Sequence, residues 1–455
     1  MNQEGFFSTT QLGTMDSLFM AAYGVGQFVF GRLADMGDPK QILLLGMASI
    51  AALLSLFALL GVLDVRAPAL YACIRLTEGF VQASGWTATV GMIGSCFDVG
   101  HRGIVMGVWS CCAFTGNILG QLMNAAVLEQ ADLNYRWQLC LSVQAGFLLA
   151  SAALNLAFLE ARPSRGVAEA LGIRDHAAAD AGGEEDEEAR LGGCAAAGPA
   201  EAEAPAGLVD GAVKTAPAAG GVPGGGWAAW AKDFFLEFFR AWRIPGVAYY
   251  AAEYTCLKLV GYSLLFWLPY FLVEGPYGME TPDADRTASL MDVGGITGSV
   301  LMGLITDGVS RYAGLPSPVR SPVCVVFLCL ALVPLGFLRA GPFPFIVLNS
   351  LVVFAGVLIG GPADATTAAV AVDLGKIPAL MGSEKVIFTV TGIIDGAGAL
   401  GAALGQYLVA SLSQRYGWGT VFIVLMVFCV LSALCLLPLA IRECREIALR
   451  RRKRA

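Results

Sequence analysis

The chain has 455 residues, 56% of them hydrophobic and 14% charged, with a mean hydropathy of +0.66. A soluble core cannot hide that much apolar surface, whereas a bilayer accepts it as helices of about 20 apolar residues, so an all-α integral membrane protein is expected. The net charge of −7 excludes little, because "GGEEDEE" (Gly182 to Glu188) concentrates acid in one segment while "RRRKR" (Arg450 to Arg454) is strongly basic.

Taken in chain order, hydrophobic runs fall near 14–31, 41–63, 67–97, 103–128 and 137–160. A polar break follows, and then six more runs lie near 246–273, 286–306, 320–339, 343–372, 384–411 and 418–441. The organisation is therefore a five-helix bundle over 1–161 and a six-helix bundle over 245–441. Between them, 162–226 is rich in Ala, Gly, Pro and Glu, a composition that cannot bury a core and predicts a disordered loop. The stretch 227–244 places Trp230, Phe234, Phe238 and Trp242 at steps of four, the apolar face of an interfacial helix. A calmodulin-type target helix is the alternative there. Residues 442–455 form a basic tail.

The basic residues orient the spans. Putting the break and the tail in the cytoplasm also places Arg32, Lys40, Arg102, Arg311, Arg320, Lys376 and Lys385 inside, and leaves Glu274, Glu280, Asp283 and Asp285 on the opposite side. The 12 cysteines show no CxxC spacing, so reduced thiols among helices are expected rather than a zinc site or a disulfide framework. Only two histidines occur, His101 and His176, and no nucleophile elbow, P-loop or HExxH is present. These absences move the reading from enzyme to transporter, with no cofactor or metal called for.

Transport needs a cavity between two bundles lined by a few polar groups. Lys258 stands inside the apolar stretch "TCLKLVGYSLLFWLPY", with Tyr254 and Tyr262 one turn either side. An unpartnered cation at mid-bilayer costs on the order of 3 kcal/mol or more, so this stripe should face the interior. It serves either a substrate or an internal ion pair with an acid such as Asp292 or Asp395. "WSCCAFTGNILGQLMN" puts Asn117, Gly120, Gln121 and Asn124 on one face, either a cavity wall or a hydrogen-bonded seam. Arg75 and Glu78 are spaced to satisfy each other. Asp395, in a glycine-rich run, reads as a packing or gating group.

The two halves echo each other. "GRLADMGDPK" (Gly31, Asp35, Lys40) and "GLITDGVSR" (Gly303, Asp307, Arg311) both read Gly-x-x-x-Asp followed by a cation. In such a turn the glycine permits close helix packing and the aspartate caps a neighbouring helix or pairs with a base. This pattern resembles the loop signature of the major facilitator superfamily, whose template is six helices, a loop and six helices in two pseudo-symmetric bundles. By that template eleven helices are visible and the first of the usual twelve has no counterpart.

"GFVQASGWTATV", "HRGIVMGVWSCCAFTGNILG", "LVGYSLLFWLPYFL", "LMDVGGITGSVLMGLITD" and "TVTGIIDGAGALGAALG" are similar to the sugar-phosphate exchangers, the organophosphate:phosphate antiporter group. That resemblance covers both membrane halves but not the Ala/Gly-rich loop. It implies exchange of a phosphorylated sugar or polyol for inorganic phosphate by rocking of the bundles, at the endoplasmic reticulum, another endomembrane or the plasma membrane. It also implies a phosphate grip made by one cation from the first helix and one from the seventh, the latter matched by Lys258. Tyr262, Tyr23 and Asn117 are further cavity candidates. The first-helix cation has no match in a chain that opens "MNQEGFFSTTQLGTMD", and Trp109 is followed by Ser110, Cys111 and Cys112 where the family carries Asn and His. Two alternatives stay open: a proton-coupled or facilitative carrier of another organic solute, and a non-transporting scaffold or receptor.

Overall fold

The computed structural model describes residues 7, 9–96, 102–128, 135–159, 226–313, 319–375 and 386–454. The loop read as disordered up to residue 225, both histidines, Lys376 and Lys385 lie outside them. In a lipid solvent every backbone N–H and C=O needs a partner within its own segment, and every described element is a helix. In the first half these are α1 (Thr9–Met36), α2 (Pro39–Val62), α3 (Pro68–Cys96), α4 (Arg102–Leu128) and α5 (Arg136–Phe158). After α6 (Gly226–Trp242) come α7 (Val247–Glu274), α8 (Thr281–Ala313), α9 (Ser321–Ala340), α10 (Phe345–Asp364), α11 (Ile387–Tyr416) and α12 (Trp418–Arg454). A π-helical turn, Ala365–Val370, and a short helix, Ala371–Gly375, continue α10.

Local chemistry sets the boundaries. The Asp38 side chain accepts the Lys40 N–H at 2.9 Å and Pro39 opens α2, while Gly417, at φ 77°, ends α11. The basic stretch from Arg450 continues α12 rather than leaving it. Among the described residues nine helices are long and apolar enough to cross a membrane. Helices α1 and α3 are less apolar than these nine and are joined to each other by charge. Arg75 pairs with Glu78 at 2.8 Å and reaches Asp16 of α1 at 3.3 Å. The expected i, i+3 pair is thus part of a triad that ties α1 to α3.

The packing repeats. In the first half α1 lies on α3 and α2 on α5; in the second, α8 lies on α10 and α9 on α12. Counted this way α1–α5 correspond to α8–α12, and the halves meet along two seams, α1 on α11 and α4 on α8. Helix α7 packs on α11 and α12. No described helix stands in the equivalent place beside α4 and α5, which expose Leu119, Leu122, Phe147 and Leu154. On α6, Phe238 meets Phe28 with ring centroids 5.8 Å apart, while Phe235 and Phe239 are exposed. One apolar side docked and a second left bare suits a helix lying at a lipid interface.

Candidate functional site

At one end of the seams the Gly-x-x-x-Asp repeats do matched work. Asp35, in the last turn of α1, accepts the Thr389 N–H at 2.8 Å together with its hydroxyl, capping the first turn of α11. Asp307 of α8 accepts the Ile104 N–H at 2.9 Å, capping α4. Each aspartate therefore caps a helix of the opposite half, where orphan N–H groups and the positive end of the helix dipole favour a carboxylate. Gly31 lets α1 approach so closely that a Cβ there would run into the Phe388 carbonyl and Gly392. Gly303 is buried. Lys40 reaches the Leu156 carbonyl at 3.2 Å and Arg311 is exposed. The base beside Asp307 is Arg320, at 3.8 Å, which also pairs with Asp373 at 2.8 Å. Sequence spacing missed Arg320 because the chain folds back to bring it there.

Deeper in the molecule, α1, α7 and α11 converge on Lys258. Its ammonium donates to Asp395 Oδ1 at 2.7 Å, and both side chains are 3% exposed. Of the two acids named from sequence, the partner is Asp395. The other carboxylate oxygen accepts Gln27 Nε2 at 2.5 Å and the Tyr23 hydroxyl at 3.2 Å, both from α1. Asp395 thus binds a cation of its own half and two donors of the other. The Lys258 ammonium also lies 5.2 Å from the ring centroids of Tyr23 and Tyr262 and 5.4 Å from that of Tyr254, within cation–π range. Glycine permits this crowding: a Cβ at Gly398 would collide with the Tyr254 ring and the Lys258 stem.

Asn117 lies on the other seam, donating to Asp292 Oδ1 at 3.2 Å from α4 to α8. Nearby on α4, Ser110 is fully buried and Cys111 Sγ contacts the Ile296 carbonyl of α8 at 3.8 Å. Gln121 is exposed, and the side chain of Asn124 lies outside the described residues. Lys258, Tyr262 and Tyr23 therefore form one cluster and Asn117 stands apart from it. Asp395 and Gln27 complete the cluster; the glycine spacing around Asp395 was visible in sequence, but nothing near Gln27 marked it.

The family model described as Major Facilitator Superfamily matches residues 3–383. Sugar phosphate exchanger 3 of Gallus gallus is 32% identical over 449 residues, 98% of this chain and 82% of that protein. Sugar phosphate exchanger 3 of Homo sapiens is 31% identical, with 98% and 83% covered. Among solved structures, the proton:xylose symporter XylE bound to 6-bromo-6-deoxy-D-glucose aligns with a TM-score of 0.63 at 12% identity, covering 95% of this chain and 88% of that one, a likeness of fold alone.

Proposed function

The chain belongs to the major facilitator superfamily and is a multi-pass membrane transporter, and from that premise we propose that it exchanges a phosphorylated sugar or related organophosphate for inorganic phosphate by alternating access, with Lys258 as the phosphate-binding cation. One observation carries this reading: a buried ammonium between the halves whose counter-ion, Asp395, is simultaneously held by the opposite half. A phosphate offers the same ammonium several strong acceptor oxygens. It competes with Asp395 for Lys258, and drawing the lysine away loosens the polar cluster that joins α7 to α1 through α11. Tyr23 and Tyr262, beside the ammonium, are placed to donate to the arriving oxygens, and Asn117 lines the second wall. The capped, glycine-packed ends at Gly31–Asp35 and Gly303–Asp307 are the gate, facing the cytoplasm along with the 162–226 loop and the C-terminal residues.

The names of the relatives, which are exchangers of sugar phosphate, support the substrate class. The test is counterflow with the purified chain in liposomes. Vesicles preloaded with inorganic phosphate should accumulate labelled glucose 6-phosphate or glycerol 3-phosphate, and vesicles loaded with sulfate-free buffer alone should not. Equal uptake with and without internal phosphate contradicts exchange.

A further inference from the structure

The second half holds a buried acid that the phosphate cluster does not use. Asp364 ends α10 where the π-helical turn begins, and it is 9% exposed. Its partner is the Ser299 hydroxyl of α8, at 2.5 Å from Oδ2. That hydroxyl has a single proton, and it also lies 2.9 Å from the Gly295 carbonyl, which can only accept. A single proton shared between two acceptors leaves both bonds poor, whereas a proton carried by Asp364 and donated to Ser299 frees the hydroxyl to donate to Gly295. Asp395 makes the contrast: it has a lysine and two further donors, as an ionised carboxylate requires. Burying a carboxylate without a cation is costly enough that it takes up a proton instead.

The surroundings hold no compensating charge. From α4, Cys111 and Cys112 come within electrostatic reach of Asp364, and from α7 Tyr254 and Tyr262 do so. On α8 Ser299 faces it, and Asp292, two turns away, is bonded by Asn117. No lysine or arginine acts on it among the described residues. A second buried acid, Glu253 of α7, lies beyond the π turn. It sits beside Thr366 and within 3.3 Å of Ser432 of α12, enclosed in the second half. Asp364 is different in position. A Cβ at Gly107 of α4 would strike the Ser299 carbonyl, so the residue that holds Asp364 is itself one of the contacts between α4 and α8. If the halves part along that seam, as alternating access requires, water reaches Asp364. Departures from α-helical geometry of this kind, a π turn beside a buried polar group, mark functional sites in many helices.

We propose that Asp364 is a proton-binding site of the transport cycle, protonated while the α4–α8 seam is closed and exchanging its proton with water when the seam parts, so that a proton travels with the anion. The step is the association of a carboxylate with a proton from water, and no other bond changes. The pairing with an anion rests on the phosphate reading above: Lys258 and Asp395 already cancel, so an arriving phosphate adds negative charge that a neutral Asp364 does not compound. The proton on Asp364 is independent of that reading.

The experiment uses the full chain in lipid and two measurements. In infrared difference titration, the wild type should show a protonated-carboxyl band that disappears as pH rises. Asp364→Asn should lack it, Glu253→Gln should keep it, and Ser299→Ala should move it to the position of an unbonded carboxyl without removing it. In liposomes preloaded with inorganic phosphate, uptake of labelled phosphate by exchange should slow several-fold in wild type and Glu253→Gln as pH rises equally on both sides, because each crossing needs a protonated Asp364. Asp364→Asn should exchange at a rate that no longer changes in this way. A titrating band of undiminished amplitude in Asp364→Asn overturns the proposal, as does a pH dependence of exchange that this variant retains. If the wild type exchanges no phosphate at any pH, the phosphate reading fails, and the infrared band alone decides the site.

Discussion

Lys258 was conspicuous in the sequence because an ammonium inside an apolar run demands a partner, and helical spacing placed its tyrosines on the same face. The identity of the partner was not legible, since Asp292 and Asp395 satisfy the same demand and only the packing of α7 on α11 selects between them. Gln27 was invisible for a related reason: one buried amide on α1 acquires meaning only through the carboxylate it meets 368 positions later. If Asp395 is the anion that phosphate displaces, removing its charge strengthens phosphate binding while penalising the empty closed form, where the ammonium is left alone. Asp395→Asn should lower the phosphate concentration for half-maximal thermal stabilisation about tenfold, a gain of about 1.4 kcal/mol. An unchanged or higher concentration would show that the carboxylate does not compete.

At the scale of elements, hydropathy marked eleven apolar runs, and a described helix lies over each of them, the last running on to Arg454. What hydropathy could not register was the π turn after Asp364, because a change of helical register leaves composition untouched. Nor did it register which helices meet. The run of glycines in α11 announced close approach without naming the neighbours, which prove to be α1 on one side and α7 on the other: Gly392 abuts Gln27 and Gly31, and Gly401 abuts the Thr255 carbonyl. A side chain at Gly392 must push α1 away, and overpacking of this kind costs about 1–3 kcal/mol. Gly392→Leu should therefore hold the gate end open and slow exchange. In a background with serine for the native cysteines, a cysteine at Gln27 should become several-fold more reactive to a membrane-impermeant maleimide from that side. Unaltered labelling would mean that the α1–α11 contact does not close the path.

For the whole molecule, the repeated Gly-x-x-x-Asp already carried the two-fold logic of the fold, but its consequence needed three dimensions. Each aspartate caps a helix of the other half, so the same short motif is both turn and clasp. Arg320 joins Asp307 from beyond the motif, which local spacing could not reveal. Two clasps at one end and a buried ion cluster tie the two halves together. Under the proposed function, phosphate arriving at Lys258 is what should release them. The most direct measurement is efflux of labelled inorganic phosphate from liposomes on addition of external organophosphate, comparing the wild type with Lys258→Ala and with the charge-neutral pair Lys258→Met/Asp395→Asn. The double variant guards against misfolding, because breaking one side of a buried pair can itself cost about 3–5 kcal/mol. Efflux should be stimulated in the wild type and absent in both variants at equal membrane content; stimulated efflux without Lys258 would contradict its role as the phosphate-binding cation.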